Sequence, residues 1–321
     1  MAVCIFHFTN GNDKLLPEAD SVRYMGSFGW LGVQIFFVIS GFVIPYSLYL
    51  RNYILKDTGG FLLRRLKRIE PPYFASILMV VALNFFVSRV PGFRGEPFHV
   101  SPIQLAAHIA YLNAILNYGW LNPVYWTLAI EFQYYLFVAL VFPLLNSPSL
   151  TIRMACVLGV SLLSILVRIE NDNLSQALLP HWLPLFAIGM LTFQFIVGHF
   201  RPLVFMPLLG VLAGICWSVL GPQQTIAGLL TAFAILGFRF RAVPSLFRPL
   251  ALAGTISYSI YLVHTPFGMR VINLAVRLPA DTAYRYMAVI VALFVSVISA
   301  ALFWKFVELP AQRWARTGRS P

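Results

Sequence analysis

An all-α bundle of membrane-spanning helices is the fold class this sequence predicts, on three observations. The 321 residues are 59% hydrophobic and only 11% charged, whereas a soluble domain carries about 25% charged residues. A hydrocarbon core of about 30 Å takes roughly 20 apolar residues per helix. Such runs recur about nine times, near 28–50, 72–88, 124–145, 150–168, 181–198, 203–220, 223–238, 250–268 and 286–307. The runs are continuous rather than alternating over short segments, which excludes a β-barrel.

The chain opens with Met1 to Phe8, apolar but far too short to span and without the basic flank of a signal peptide. It reads as the end of a first helix, which would bring the count to about ten. The run at 28–50 carries small residues, Gly32 and Gly41, that let neighbouring backbones approach, and two polar ones, Gln34 and Ser40, expected to bond to adjacent helices. After it, 51–68 holds Arg51, Lys56, Arg64, Arg65, Lys67 and Arg68. Pro71-Pro72 then marks the expected start of the next helix. The loop 89–123 is longer than a connection needs and contains an apolar stretch, 105–116, too short to span. It is expected as a re-entrant or interfacial lid.

The run at 124–145 contains Glu131 among apolar and aromatic residues. Insertion scales put an acidic residue at a helix centre at roughly +2.5 to +3.5 kcal/mol, so such a residue is kept where it meets a partner or a wet cavity. Trp126, Gln133, Tyr134 and Tyr135 are its candidate partners. The later runs are plain spans, ending in a basic tail at about 311–321 expected to be flexible. Cys4, Cys156 and Cys216 fall in different apolar segments without paired spacing and read as small core residues. The whole of 1–321 reads as one membrane domain, and no ligand spacing calls for a metal.

The net charge of +12 invites a nucleic-acid reading, but its placement argues otherwise. The basic residues of 51–68 mark that loop as cytoplasmic. Alternation puts Arg153, Arg201, Arg239, Arg241, Arg248, Arg313, Arg316 and Arg319 on the same side. Asp13, Glu18, Asp20, Glu96, Glu170, Asp172 and Asp281 fall on the other. The basic excess is a topology signal for a lipid bilayer, and no nucleic acid is expected.

Four further clusters carry possible chemistry. His7, near the outer end of the first helix, is suited to act as general base toward a hydroxyl; it equally suits a helix cap at the interface. Arg65 and Arg68, three apart, share a helical face and offer two guanidinium forks to a phosphate, or serve only as an orientation flank. Ser257, Tyr261 and His264 at i, i+4 and i+7 form a stripe expected to face the bundle interior, with His264 as a site residue or a structural one. Glu308, before Pro310, is accounted for by a salt bridge to a basic loop.

In this order, the clusters resemble the acyltransferase-3 family of integral membrane acyltransferases. Its Gly-x-x-Gly-Val-x-x-Phe-Phe-x-x-Ser-Gly-Phe is matched at 29–42 and its Arg-Arg-x-x-Arg-Ile-x-Pro-x-Tyr at 64–73. Its Trp-Ser-Leu-x-x-Glu-x-x-Phe-Tyr resembles 126–135, with Thr127 and Tyr134 as replacements, and its Ser-Tyr-x-x-Tyr-Leu-x-His is matched at 257–264. The resemblance implies that Arg65 and Arg68 are the donor-side arginines and that His7 is the essential first-helix histidine. It implies no bound cofactor, with acyl-CoA as donor substrate from the cytoplasm. The implied acceptor is a hydroxyl near the outer face, on a saccharide, a lipid-linked glycan or a glycosylated small molecule. His7 and Glu131 are then the catalytic candidates, Arg65 and Arg68 the donor-binding ones, and Trp126, Tyr135, Tyr261 and His264 the supporting ones. The family's first helix also carries an arginine ten intervening residues before the histidine. Here that position precedes Met1, so an upstream segment bearing it is expected.

The expected activity is O-acylation of a polysaccharide or similar acceptor, in a bacterial-type inner membrane that the chain crosses many times. A flippase for a lipid-linked glycan, with Glu131 coupling a proton, is the alternative from another class. A truncated, inactive paralogue acting as a binding subunit is a third.

Overall fold

The computed structural model describes residues 1–91, 96–167, 171–238, 254–277 and 281–317, without the side chains of 172, 282, 316 and 317. Among these the secondary structure is helical throughout, without strands. In chain order the helices are α1 (Ala2–Asn10), α2 (Ser21–Ser27), α3 (Gly32–Tyr49), α4 (Thr58–Val87), α5 (Pro102–Ile109), α6 (Tyr125–Leu145) and α7 (Leu150–Leu166). They continue as α8 (Asp172–Gln176), α9 (Leu179–Ile196), α10 (Pro202–Leu220), α11 (Pro222–Phe238), α12 (Ser257–Ala275), α13 (Thr282–Phe303) and α14 (Leu309–Thr317).

Among the described residues, six helices are long and apolar enough to cross a membrane by length and composition: those over Ser21–Tyr49, Leu55–Val87, Tyr125–Leu145, Asn173–Ile196, Pro202–Leu220 and Ala283–Ala315. The other three expected spans also form helices. Leu150–Leu166 and Pro222–Phe238 are apolar but shorter, and α12 is diluted by His264, Thr265, Arg270 and Asn273. The chain is a multi-pass, all-helical membrane protein.

One helix boundary differs from expectation. α4 starts at Thr58, so Pro71 and Pro72 lie inside it rather than at its start. The start is built instead by the Asp57 carboxylate accepting the Ile54 N–H at 3.1 Å, and by the Thr58 hydroxyl bonding to Leu55 O at 2.7 Å. The prolines cost only the two N–H groups that would have bonded to the Lys67 and Arg68 carbonyls. At the start of α12, Ser257 is exposed with its hydroxyl on Gly254 O; residues 250–253 of the expected run lie outside the described residues. Ser257 therefore does not share the interior face expected of it; the buried serine is Ser259, which is off that stripe. Residues 311–317 of the tail expected to be flexible are helical, as the end of α14; 318–321, Arg239, Arg241, Arg248 and Glu170 lie outside the described residues.

The chain divides into two compact units. The first comprises Met1–Trp30, Leu63–Leu128 and Arg248–Pro321; the second comprises Leu31–Leu62 and Ala129–Phe247. α4 and α6 contribute to both.

In the second unit, α3 and α9 pack along their length. A Cβ at Gly41 would overlap the Phe186 carbonyl oxygen, and one at Gly189 would overlap the Val38 carbonyl oxygen. Gly41 is thus a packing site, as expected. Phe37, Trp182 and Phe186 fill the seam around it, with Phe37–Phe186 ring centroids 5.0 Å apart. Gln34 is buried, and its Oε1 meets no donor among the described residues.

In the first unit, α12 pairs with α13 and α1 lies against both. The loop before α6 folds back along α4: the Tyr111 hydroxyl donates to Glu70 Oε1 at 3.0 Å, and the Tyr73 hydroxyl to His108 O at 3.0 Å. From Val87, where the loop leaves, back to Glu70 is about 26 Å of helix.

Candidate active site

The site in the first unit starts from a close approach. A Cβ on Gly268 would overlap the ring of Phe8, so glycine there lets α1 lie against α12. The next residue back along α1, His7, then meets His264. Their rings stack with centroids 5.1 Å apart, and His7 Nδ1 is 2.9 Å from His264 Nε2.

The partners assign the protons. His264 Nδ1 lies 2.9 Å from the carbonyl oxygens of both Ile260 and Tyr261. A carbonyl only accepts, so Nδ1 carries the hydrogen and Nε2 of the neutral ring carries a lone pair. That lone pair accepts from His7 Nδ1–H. His7 Nε2 is then the lone-pair nitrogen of its own neutral ring. His264, fully buried, fixes both the orientation and the tautomer of the half-buried His7.

A second layer holds His264. Pro266 removes the N–H that would bond to Leu262 O, and Asn122 Nδ2 donates to that carbonyl at 3.0 Å. Asn122 Oδ1 accepts from the Thr265 hydroxyl at 2.5 Å. The Tyr261 hydroxyl is 2.9 Å from Val124 O and 2.5 Å from Thr127 Oγ1. Thus the loop end and the first turn of α6 grip α12 on either side of the histidine. Trp126 is half-buried in the same turn.

Arg65 and Arg68 lie on α4 in this unit, Arg65 partly buried and Arg68 exposed. Below them, Glu308 is buried, and its partners differ from the expected salt bridge. Its Oε2 accepts the Ser259 N–H at 3.1 Å and the Ser259 hydroxyl at 2.5 Å; its Oε1 accepts Gln312 Nε2 at 2.7 Å. The carboxylate therefore caps the first turn of α12, where the helix dipole favours a negative charge, and Arg68 is close enough to act on it electrostatically. A π-turn over Trp304–Glu308 aims it there: the Leu309 N–H bonds back to Trp304 O, ahead of Pro310, which cannot continue the ladder.

Glu131 and Tyr135 belong to the second unit. The Tyr135 hydroxyl donates to Glu131 Oε1, one helical turn away on α6. Tyr135 also sets its ring edge-on to Phe61, with centroids 6.2 Å apart. Of the other expected partners, Gln133 turns elsewhere: it donates to Ala177 O at 3.1 Å and accepts the Leu179 N–H at 2.8 Å, joining α6 to the start of α9. Tyr134 stacks on Phe186 at 4.0 Å.

The structure therefore joins His7 to His264 and places Tyr261 and Thr127 beside them. The sequence did not single out Asn122, which bonds to Leu262 O and the Thr265 hydroxyl on either side of His264. The available signal for Asn122 was a lone amide in the apolar Trp120-Leu121-Asn122-Pro123 stretch. Glu70, His108 and Tyr111 also escaped notice as a group.

A family model described as an acyltransferase domain matches residues 1–305. Peptidoglycan O-acetyltransferase OatA of Listeria monocytogenes serovar 1/2a is 26% identical over 95% of this chain and 57% of its own length. A putative acetyltransferase, ORF330, of the Acidianus two-tailed virus is 25% identical over 51% of the chain and 47% of its own. A putative O-acetyltransferase of Staphylococcus aureus strain COL is 34% identical over 34% of the chain and 19% of its own. The chain thus aligns with less than two thirds of the length of these curated relatives. No solved structure matches it. With its four motifs on helices and a match over residues 1–305, the chain belongs to the acyltransferase-3 family of membrane acyltransferases.

Proposed function

We propose that this chain is a single membrane acyltransferase domain that moves an acyl group, acetyl or similar, from cytoplasmic acyl-CoA to a hydroxyl of a saccharide or lipid-linked glycan. The acceptor is reached near the outer face of a bacterial-type inner membrane. The family supports the reaction class, and likeness to a peptidoglycan O-acetyltransferase supports a saccharide acceptor. The observation that carries the reading is the His7–His264 pair.

Arg65 and Arg68 hold the donor phosphates, leaving the thioester free to extend into the bundle. The acceptor oxygen attacks the thioester carbonyl carbon; the C–O bond forms and the C–S bond breaks. His7 Nε2 takes the hydroxyl proton and delivers it to the departing thiolate, so the products are the ester and free coenzyme A. His264 is a positioning residue: a donor hydrogen bond from His7 Nδ1 raises the basicity of Nε2 and holds the ring. Glu131, braced by Tyr135, orients a partner or holds the acceptor. General-base catalysis contributes about 10²- to 10⁴-fold.

The test is mass spectrometry of surface glycans from cells carrying the wild-type gene, His7→Ala, or no gene. Acyl groups present only with wild type support the reading. Identical glycans in all three would overturn it.

A further inference from the structure

Three consecutive residues of α4 meet the helices that follow the loop. Lys67 Nζ lies 4.9 Å from the centre of the Trp314 ring on α14. Ile69 O accepts the hydroxyl of Tyr258, in the first turn of α12, at 3.0 Å. Between these two, Arg68 acts electrostatically on Glu308, at the joint of α13 and α14, without bonding to it. All of these residues belong to the first unit. Arg68 thus stands at a junction of α4, α12 and α14.

α12 depends on that junction for its start. The first N–H groups of a helix have no partner within it, and the N-cap residue, Ile256, offers them no side-chain bond. Glu308 supplies one from 49 positions away: its Oε2 takes both the N–H and the hydroxyl of Ser259. Gln312, one turn further on, holds the other oxygen at 2.7 Å. Hydrogen bonds to a charged acceptor are stronger than neutral ones, so three of them on one buried carboxylate hold Ser259 firmly.

Ser259 in turn fixes the residues that follow it. Ile260 and Tyr261 come next in the chain, and theirs are the two carbonyls that accept His264 Nδ1–H. From Ser259 to His264 is about 7.5 Å along the axis. Contacts therefore run unbroken from Glu308 to Ser259, to the Ile260 and Tyr261 carbonyls, to His264 and to His7 Nδ1–H. Arg68 stands at the far end of the same series.

We propose that Glu308 is a positioning residue for the histidine pair, and that Arg68 makes its hold on α12 respond to phosphate. Capping the first turn keeps the two carbonyls aimed at His264 Nδ1–H, and so keeps the lone pair of His7 on Nε2. A phosphate on Arg68 shares that cation with the Glu308 carboxylate, so binding there is felt at the start of α12. The coupling is reciprocal: removing the charge of Glu308 leaves Arg68 wholly to the phosphate. This inference rests on the reading of Arg65 and Arg68 as donor-binding residues.

The experiment pairs nitrogen-15 NMR of the histidine-labelled protein in detergent with calorimetric binding of 3′,5′-adenosine bisphosphate, a probe with phosphates but no thiol or acyl group. Glu308→Leu removes the cap and should let His264 sample both tautomers. Ser259→Ala loses only the hydroxyl bond; it should populate the second tautomer to a lesser degree, and it decides the matter if Glu308→Leu does not fold. Glu308→Gln keeps an acceptor but no charge. It should hold the wild-type tautomer and bind the bisphosphate about 3- to 10-fold more tightly, the size expected for one charge acting through space near a protein surface. Loss of a merely structural contact would raise no affinity. A single His264 tautomer in Glu308→Leu, or in Ser259→Ala where that variant decides, overturns the positioning role. Unchanged or weaker bisphosphate binding by Glu308→Gln overturns the link to Arg68. Failure of the wild-type protein to bind the bisphosphate overturns the donor reading and the link with it, while the tautomers still decide the role of Glu308.

Discussion

His7 and His264 stand 257 positions apart in the sequence and 2.9 Å apart in the fold, Nδ1 to Nε2. No carboxylate intervenes. The chain of donors runs from His7 Nδ1–H to His264 Nε2 and from His264 Nδ1–H to the carbonyls of Ile260 and Tyr261. In many acid–base pairs an acid orients the histidine. Here a second, buried histidine does so, and two helix carbonyls set its tautomer. The neutral form of the pair avoids placing a charge in a segment where charge is expensive.

The paired arginines should be needed for donor affinity. Arg65→Ala and Arg68→Ala should each abolish transfer at ordinary donor levels while protein abundance stays normal. Lysine should rescue poorly, because it lacks the planar fork that grips phosphate bidentately. Steady-state kinetics against acyl-CoA check this. Wild-type KM in the double alanine variant would reduce the pair to a topology signal.

Glu131 and Tyr135 should act as a unit. Glu131→Gln keeps an acceptor for the Tyr135 hydroxyl and should retain more activity than Glu131→Ala. Tyr135→Phe combined with Glu131→Ala should cost little beyond Glu131→Ala alone, since residues sharing one hydrogen bond are not additive. Normal acylation by all three variants would make Glu131 a structural polar residue.

Much of the helical layout was legible because bilayer thickness writes long apolar runs into the sequence. Local punctuation was less reliable. Pro71-Pro72 looks like a helix start, yet α4 runs through it, because Asp57 and Thr58 already supply a start upstream. The site was legible only as separate pieces. His7 and His264 were each visible as lone histidines on apolar helices, but nothing local records that Gly268 lets Phe8, and hence His7, approach. Glu308 read as the partner of a basic loop, because a π-turn that swings it onto Ser259 leaves little trace beyond Pro310. The depth of the loop, set by Tyr111 on Glu70, is a tertiary fact with no periodicity to announce it.

Gly41 should tolerate no side chain. Gly41→Ala drives a methyl into the Phe186 carbonyl oxygen, and overpacking of this kind costs about 1–3 kcal/mol. Gly214 on α10 has open space around its missing Cβ, so Gly214→Ala should be neutral or stabilising by up to about 1 kcal/mol. Thermal unfolding in detergent measures both. Equal melting temperatures would contradict the α3–α9 seam.

Acid should loosen the start of α2. A hydrogen bond from the Tyr286 hydroxyl at 2.7 Å, with the N–H groups of Val22 and Arg23, holds the Asp20 carboxyl below the usual carboxylate range. Since the folded value is depressed, this stabilisation is complete above the ordinary carboxylate range and is lost as pH falls through the folded value. Hydrogen exchange at Val22 and Arg23 should rise in strong acid relative to the intrinsic rate, and Asp20→Asn should flatten that response. Matching profiles for the two proteins would contradict the assignment.

His264 leaves His7 with its lone pair on Nε2, ready to take a proton. Nitrogen-15 NMR of the purified protein labelled at histidine reads this directly, with the His7 and His264 signals assigned by single substitution. Neutral His7 should carry its proton on Nδ1, His264 should do the same, and His264→Phe should let His7 sample both tautomers. A wild-type His7 protonated on Nε2 would contradict it.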